Sequence, residues 1–300
     1  MSPSFPDFLP VDVAQLTEPE SIDLAQSIQQ TEILTPLSSQ PIKTTYLHQG
    51  TGGIPILLLH GFDSSVLEFR RLLPLLAAKN ETWAVDLLGF GFSDRPAYLS
   101  FDPPAIKTHL FYFWKKLIQQ PVVLVGVSMG GAVAIDFALT YPESVKKLVL
   151  IDSAGFAMGP AVGKWLVPPF GYLAAEFLRC PNVRKQVSLN AYVDPSFVST
   201  DALLCTSLHL NQAGWRRAMI AFTRSGGYTF LADKIAQITL PTLILWGDSD
   251  RILGTADAER FRSAIANSEL IWIPNCGHVP HLEKPQITAQ HILKFLKFIK

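Results

Sequence analysis

Apolar residues along the chain fall into two kinds of run. Four runs are short and almost continuously apolar, as expected for strands covered on both faces: 54–59, 122–126, 145–151 and 242–246. Between them, apolar positions recur at helical spacing in 67–78, 104–119 and 129–141. This alternation predicts βα units and an α/β fold with a doubly wound, mostly parallel sheet.

The alternation is interrupted once. Residues 153–235 contain no clean strand pattern, only helix-like patches separated by glycine and proline. We therefore predict a core of residues 42–152 and 236–300, with 153–235 as a helical insertion. Residues 1–41 are polar and punctuated by proline, so we expect an N-terminal extension with a short helix around 18–29. The core would begin with an edge strand over 42–47.

Charge and hydropathy narrow the range of partners. The formal net charge is zero and charged residues make up 17% of the chain, below the roughly 25% usual for soluble domains. A neutral chain lacks the basic surface by which proteins bind nucleic acid, so we expect no such partner. The mean hydropathy of +0.24 is typical of either a large core or an apolar surface with a partner.

Cysteines and apolar stretches bear on location. Cys180, Cys205 and Cys276 share no metal-ligand spacing, and we interpret them as reduced thiols in a reducing compartment. The first ten residues lack a basic region, so we expect no secretory signal. Residues 121–139 are apolar enough to suggest a membrane span, but their glycines and Asp136 favour a buried strand, a turn and a buried helix. We predict no transmembrane helix.

The turn within that stretch, Gly126-Val127-Ser128-Met129-Gly130, matches G-x-S-x-G between a strand and a helix. So sharp a turn leaves no space for side chains beside the serine, which accounts for both flanking glycines. The serine hydroxyl is raised above the sheet at a helix N-terminus, whose dipole favours developing negative charge. We predict that Ser128 is a nucleophile; a structural serine in a tight turn is the alternative.

A nucleophilic serine needs a base, and the base needs a carboxylate that fixes its tautomer. With this motif the partners follow the serine in the order acid, then histidine. His278 follows the last predicted strand, 270–273, and so lies at the carboxyl edge of the sheet, where sites of open α/β sheets form. We predict that His278 is the base. His281 is expected to serve structure or line the pocket, and His291 to lie away from it.

Two aspartates compete for the role of the acid. Asp250 lies in the turn after the strand that ends at Trp246, and the chain-order rule favours it. Asp152 at the end of the preceding strand is the rival, because some enzymes place the acid there. Asp248 is expected to hydrogen-bond the backbone of its own turn.

An oxyanion needs two backbone N–H donors, one after the nucleophile and one from the loop after an earlier strand. We predict Met129 for the first and Phe62 for the second, with His60 as a structural residue. The loop 86–94 lacks the third glycine and the acidic partner of a dinucleotide site, so we interpret it as structural. No cysteine–histidine cluster has metal spacing, and we predict no metal and no cofactor.

The order of these motifs resembles that of the α/β-hydrolases over about residues 42–300. The resemblance implies an α/β-hydrolase fold with a helical cap inserted after the sixth strand, and 153–235 occupies the place of that cap. Three segments are more narrowly similar to the chlorophyll dephytylase group of photosynthetic organisms: 60–68, 132–137 and 276–285. Members of that group hydrolyse the phytyl ester of chlorophyll, which implies a role in chlorophyll catabolism.

The same resemblance disfavours related activities. Ser128 stands where haloalkane dehalogenases and epoxide hydrolases have an aspartate nucleophile. Val127 and Val279 stand where carbon–carbon bond hydrolases of ring-cleavage products typically have asparagine and tryptophan.

The start of the predicted cap is strongly apolar. Lys164 is the one charge in 153–175, among Phe156, Met158, Trp165, Leu166, Val167, Phe170, Tyr172 and Leu173. These side chains either pack on the core or touch a membrane or a lipid-like substrate, and the sequence leaves both open. The expected location is accordingly cytoplasmic, with the periphery of a membrane such as the thylakoid as the variant that an exposed cap would imply.

Together these observations predict a serine hydrolase that cleaves a small hydrophobic carboxylic ester through an acyl-enzyme. The alternatives are a general carboxylesterase, a thioesterase, an acyltransferase or a carbon–carbon bond hydrolase on the same residues. A ligand receptor that keeps the fold without turnover is a further alternative. The oligomeric state stays open.

Overall fold

The computed structural model describes residues 4–156 and 170–297. Its strands are β1 (Gln29–Thr35), β2 (Ser38–Gln49), β3 (Ile56–Leu59), β4 (Thr82–Val85), β5 (Val122–Val127), β6 (Val145–Ile151), β7 (Thr242–Gly247) and β8 (Ser268–Ile273). They form one eight-stranded sheet in the order β1-β2-β4-β3-β5-β6-β7-β8. The pairs β1–β2 and β2–β4 are antiparallel and the remaining pairs are parallel, so the predicted α/β fold is confirmed.

Helices cover both faces of the sheet. The core helices are α1 (Pro19–Gln26), α2 (Leu73–Ala77), α3 (Pro103–Leu117), α4 (Met129–Thr140), α9 (Ala256–Ala264), α10 (Pro280–Glu283) and α11 (Pro285–Lys297). Side chains of β3 alternate between two clusters, with Leu57 and Leu59 packed against α3 and α4 and Ile56 and Leu58 against α1, α2 and α11. Such two-sided burial explains why the central strands are continuously apolar.

Two expectations about the edge of the sheet were wrong. The strand predicted over 42–47 extends from Ser38 to Gln49 and is not at the edge, because β1 pairs outside it. Residues 29–41 therefore belong to the sheet instead of an extension that lies on it. Only Ile33 and Thr35 of β1 are buried, so this polar strand carried no apolar signal.

The helix predicted over 67–78 is broken. The chain forms a 3-10 helix at Val66–Phe69 and then α2, with Pro74 in the first turn of α2. The helix predicted over 104–119 begins one residue earlier, at Pro103, where the Asp102 carboxylate accepts the Ala105 N–H at 2.9 Å. Proline in the first turn and an aspartate cap are the expected start signals.

Between β6 and β7 the described residues are helical, as predicted. They form α5 (Phe170–Arg179), α6 (Pro181–Ala191), α7 (Thr200–Cys205) and α8 (Trp215–Arg224), which together we call the cap. Met158, Lys164, Trp165, Leu166 and Val167 lie outside the described residues. In the described ranges, no helix combines the length and the hydropathy that a membrane span requires.

Candidate active site

The turn between β5 and α4 holds Ser128 in a strained conformation. Its φ and ψ angles are 51° and −117°, a region that non-glycine residues rarely adopt. A Cβ atom at Gly126 would lie 2.3 Å from the Gly130 carbonyl oxygen, and one at Gly130 would lie 2.1 Å from the Leu59 carbonyl oxygen. Both positions therefore require glycine, for the reason that the sequence motif gives.

The loop of residues 60–64, here called the oxyanion loop, passes directly beside this turn. A Cβ atom at Gly61 would lie 3.6 Å from the Cβ of Ser128. The Gly61 N–H donates to Glu68 Oε2 at 2.9 Å. Across the described ranges, the N–H groups of Phe62 and Met129 donate to no protein atom. Two unpaired backbone donors thus flank Ser128.

His278 and Asp250 meet at the carboxyl edge of the sheet. Nδ1 of His278 lies 2.9 Å from Asp250 Oδ2, and the other oxygen of Asp250 accepts the N–H groups of Ile252 and Leu253 at 2.7 and 3.2 Å. The carboxylate favours a proton on Nδ1, which leaves Nε2 free to accept another.

Ser128 and His278 line the same cavity. Within the described residues the Ser128 hydroxyl makes no hydrogen bond, to His278 or to any other group. Catalytic hydrogen bonds of this kind are commonly long in ligand-free enzymes and tighten when substrate binds.

Asp152 lies behind this pair and is fully buried. Its Oδ1 accepts the Gly247 N–H at 3.0 Å, and its Oδ2 has no partner within the described residues. Burial and the nearby charge of Asp250 raise the pKa of Asp152 well above its usual value. Asp152, Asp250 and His278 each have one donor atom in a group within 4.8 Å. The raised pKa of Asp152 favours its neutral carboxyl, which is a weaker cation ligand than a carboxylate.

Two carboxylates, the exposed Asp248 and the buried Glu283, support the loop that carries His278. Asp248 accepts the N–H groups of Asn275 and Cys276 at 3.1 and 3.4 Å, so the expectation that it binds its own turn was wrong. Glu283, which carried no sequence signal, accepts the Gly277 N–H at 2.8 Å. Its other oxygen accepts the N–H groups of Val193 and Asp194 in the insertion, both at 2.9 Å.

The remaining singled-out residues serve structure. Nε2 of His60 accepts the Leu87 N–H at 3.1 Å, which assigns the proton to Nδ1 for donation to the Gly61 carbonyl at 2.8 Å. Burial lowers the pKa of His60 to about 4, so the ring is neutral. His281 lies 3.1 Å from Glu68, and Asp86 accepts the Val66 and Phe92 N–H groups.

The cavity at Ser128 has a volume of about 280 Å³. The core contributes Phe62, Val127 and Val279, and the cap contributes apolar side chains of two helices: Leu178, Val183 and Val187. Its charged neighbours Arg184 and Glu68 are both paired with other protein groups. A mainly apolar cavity that holds the Ser128 hydroxyl and the His278 imidazole suits an uncharged, hydrophobic ligand.

Known proteins share this arrangement of elements. The chain is 36% identical over 304 aligned positions to the alpha/beta hydrolase domain-containing protein VTE7 of Arabidopsis thaliana, covering 97% of this chain and 89% of that protein. It is 30% identical over 264 positions to the 2-hydroxy-6-oxo-6-(2'-aminophenyl)hexa-2,4-dienoic acid hydrolase of Metapseudomonas resinovorans, covering 85% and 88%. A solved structure of a bacterial membrane phospholipase A has a TM-score of 0.69 and 27% identity, covering 90% of this chain and 86% of that one.

The family profile described as "alpha/beta hydrolase fold" matches residues 54–285. That span includes the oxyanion loop, the turn at Ser128, the cap and the loop of His278. The chain belongs to the α/β-hydrolase fold family.

Proposed function

We propose that this protein is a serine hydrolase that cleaves a carboxylic ester of an apolar substrate through an acyl-enzyme. One observation carries the proposal: a half-buried Ser128 hydroxyl shares an apolar cavity with an imidazole whose Nδ1 is held by Asp250. The unpaired N–H groups of Met129, next to the serine, and of Phe62, in the loop beside it, support the proposal.

The proposed reaction has two steps, each with His278 as the proton carrier. Nε2 of His278 takes the Ser128 proton while Oγ attacks the ester carbonyl carbon, and the Phe62 and Met129 N–H groups stabilise the oxyanion. His278 then protonates the leaving alcohol, and the acyl group stays on Ser128. A water molecule repeats the sequence and releases the acid. Asp250 stabilises the imidazolium in both steps.

We propose the phytyl ester of chlorophyll as the substrate. The similarity of residues 60–68, 132–137 and 276–285 to the dephytylase group supports this choice, as do the apolar side chains of α5 and α6 in the cavity. A cavity of about 280 Å³ is at the small end of ligand pockets. We therefore expect the ester group and the adjacent part of the substrate to be enclosed, with the remainder outside.

The exposed face of α5 supports contact with a lipid surface, where such substrates dissolve. Phe170, Leu173 and Phe177 recur at i, i+3 and i+7, and their exposed fractions are 63%, 63% and 64%. The next residue, Leu178, lines the cavity, so an apolar chain leaving lipid at this face has a short path to Ser128. Arg179 and Lys185 nearby suit anionic headgroups.

Sedimentation with vesicles of galactolipid and phosphatidylglycerol tests this contact. Leu173→Asp together with Phe177→Asp is expected to abolish binding. The control is Leu34→Asp on β1, where an equally exposed leucine (67%) lies away from the cap. Equal binding by all three proteins would remove the lipid contact from the proposal.

Hydrolysis of chlorophyll a and of p-nitrophenyl butyrate, by the wild type and by Ser128→Ala, tests the activity itself. Chlorophyllide formed by the wild type and not by Ser128→Ala is the expected result. Turnover of the short ester alone would keep the serine hydrolase and discard the phytyl ester. No turnover of either ester, with no labelling of Ser128 by a fluorophosphonate, would favour a ligand receptor.

A carbon–carbon bond hydrolase is the second candidate, because a relative with 30% identity is named for that reaction. Val127 and Val279 depart from the residues typical of that group, which places it behind the ester hydrolase. Loss of the absorbance of a 2-hydroxy-6-oxo-dienoate without ester turnover would reverse this order.

A further inference from the structure

The carboxylate of Asp63, the residue after Phe62, collects hydrogen bonds from three separate parts of the insertion. Its Oδ1 accepts from Trp215 Nε1 at 2.7 Å and from His209 Nε2 at 3.1 Å, and its Oδ2 accepts from Arg184 Nη1 at 2.6 Å. Arg184 belongs to α6, His209 to the 3-10 helix Leu208–Asn211, and Trp215 to α8. One side chain of the oxyanion loop thus contacts three segments of the insertion.

The backbone at Asp63 depends on these bonds. Its φ angle is 50°, a conformation that costs a non-glycine residue free energy and persists where surrounding contacts impose it. The ring of Phe62 packs 5.9 Å, between centroids, from Phe222 of α8. The insertion therefore contacts two consecutive residues of the oxyanion loop, through the Phe62 ring and through the Asp63 carboxylate.

The contact between Asp63 and the insertion involves an ionised carboxylate. Burial alone would raise the pKa of Asp63, but the hydrogen bond from His209 and the charge of Arg184 lower it to about 2. Asp63 is 8% exposed and the Arg184 side chain 14% exposed, so removal of the Asp63 charge leaves a largely enclosed guanidinium without its counter-ion, which is costly.

We propose that Asp63 is a positioning residue that docks the cap onto the oxyanion loop and so holds the Phe62 N–H at Ser128. The inference rests on the proposed acyl-enzyme chemistry and not on the phytyl ester. It assigns to the cap a part in oxyanion stabilisation besides substrate binding.

The test compares Asp63→Ala and Asp63→Asn with Asp201→Asn. Asp201 is the matched control, since it is 2% exposed and likewise collects hydrogen bonds across the chain, from the N–H groups of Thr17 and Glu18 and from Ser21 Oγ. It joins α7 to the N-terminal segment and does not touch the oxyanion loop. Activity per active site, counted by fluorophosphonate titration, is measured with p-nitrophenyl butyrate together with the binding of an alkyl boronic acid.

Asp63→Ala is expected to lower kcat about 100-fold, the typical cost of displacing a catalytic group by about 1 Å. The boronic acid, which forms a tetrahedral adduct on serine, should lose a similar factor in affinity, while KM changes less than about threefold. Asp63→Asn should fall between, because its oxygen still accepts from Trp215 and His209 while its amide faces Arg184. Asp201→Asn should lower the melting temperature and keep kcat.

Three results would overturn the inference. If both Asp63 variants fold and keep the wild-type kcat and boronate affinity, the oxyanion loop keeps its conformation without the Asp63 carboxylate. An equal loss of kcat in Asp201→Asn would reduce Asp63 to a structural residue. If Asp63→Ala does not fold, Arg184→Gln removes one of the three donors, and unchanged kcat in that variant would have the same meaning. A wild type inactive on every ester and unlabelled by fluorophosphonate would instead refute the serine chemistry itself.

Discussion

Replacing Asp250 by asparagine tests which carboxylate orients His278. In the wild type, one oxygen of Asp250 accepts two backbone N–H groups, from Ile252 and Leu253, and the other faces Nδ1 of His278. An asparagine has one oxygen and one NH₂ group. The two backbone donors hold the oxygen, so the NH₂ group must face His278.

This orientation inverts the imidazole. Nδ1 would have to accept a hydrogen bond, which moves the proton to Nε2 and removes the atom that takes the Ser128 proton. In serine proteases with a Ser-His-Asp triad, the same change lowers kcat about 10⁴-fold. This factor corresponds to about 5.5 kcal/mol of transition-state stabilisation. We expect a loss of this size for Asp250→Asn.

The matched variant is Asp152→Asn. Asp152 is fully buried, and both its burial and the charge of Asp250 raise its pKa, which favours the neutral carboxyl. An amide resembles that neutral carboxyl in shape and charge. Its oxygen still accepts the Gly247 N–H, so we expect kcat/KM within about tenfold of the wild type, since no charge or catalytic tautomer changes.

The assay is kcat/KM for p-nitrophenyl butyrate at pH 8, divided by the fraction of sites that a fluorophosphonate labels. Circular dichroism and the melting temperature confirm that both variants are folded. Wild-type activity in Asp250→Asn, or a larger loss in Asp152→Asn, would assign the acid role to Asp152 and refute the argument from the hydrogen bonds.

Three further predictions concern packing, pH and thiols. Gly130→Ala places a Cβ atom 2.1 Å from the Leu59 carbonyl oxygen, and its free energy of unfolding in urea should fall by about 2–3 kcal/mol. For the control Gly61→Ala, whose Cβ atom would make only ordinary contacts, the fall should be less than about 1 kcal/mol. The pKa of Asp63 and of Glu68 is about 2 in the folded protein and about 4 in the unfolded chain. The stability that these two carboxylates contribute is therefore complete above about pH 5 and is lost as the pH falls through 2. The free energy of unfolding in urea, measured between pH 6 and pH 3, should depend less on pH in Asp63→Asn. Burial raises the pKa of the thiols of Cys205 and Cys276, so Ellman's reagent at pH 8 should reach Cys180 first and these two only after unfolding; rapid reaction of all thiols in the folded protein would contradict the buried positions.

The turn at Ser128 could be predicted from sequence because its constraint is local. Gly126 and Gly130 each face backbone atoms at distances that no side chain allows, so strand, turn and helix are all encoded within residues 122–140. The same holds for the central strands, whose burial on both faces demands continuous apolar runs. Chain order then placed His278 and Asp250 together, and they lie 2.9 Å apart.

The support of the site could not be predicted, because it is made by single polar residues distant in the sequence. Asp63 and Trp215 are separated by 152 positions, and Glu283 and Val193 by 90. No periodicity or spacing links such pairs. Strand β1 was not predicted for a related reason. Its pairing with β2 satisfies the backbone hydrogen bonds, and because only two of its side chains are buried, its sequence shows no apolar pattern.

The contacts of α6 join the cavity to both parts of the proposed catalytic machinery. Near its start, Arg184 pairs with Asp63 of the oxyanion loop, and at its end the Ala191 carbonyl accepts the His278 N–H at 2.7 Å. Between them, Val187 and Ser188 line the cavity. A substrate that displaces this one helix would shift the proposed oxyanion donors and the proposed base together. Substitutions in α6 chosen to change specificity should therefore change kcat as well as KM, whereas those confined to the exposed face of α5 should change KM alone.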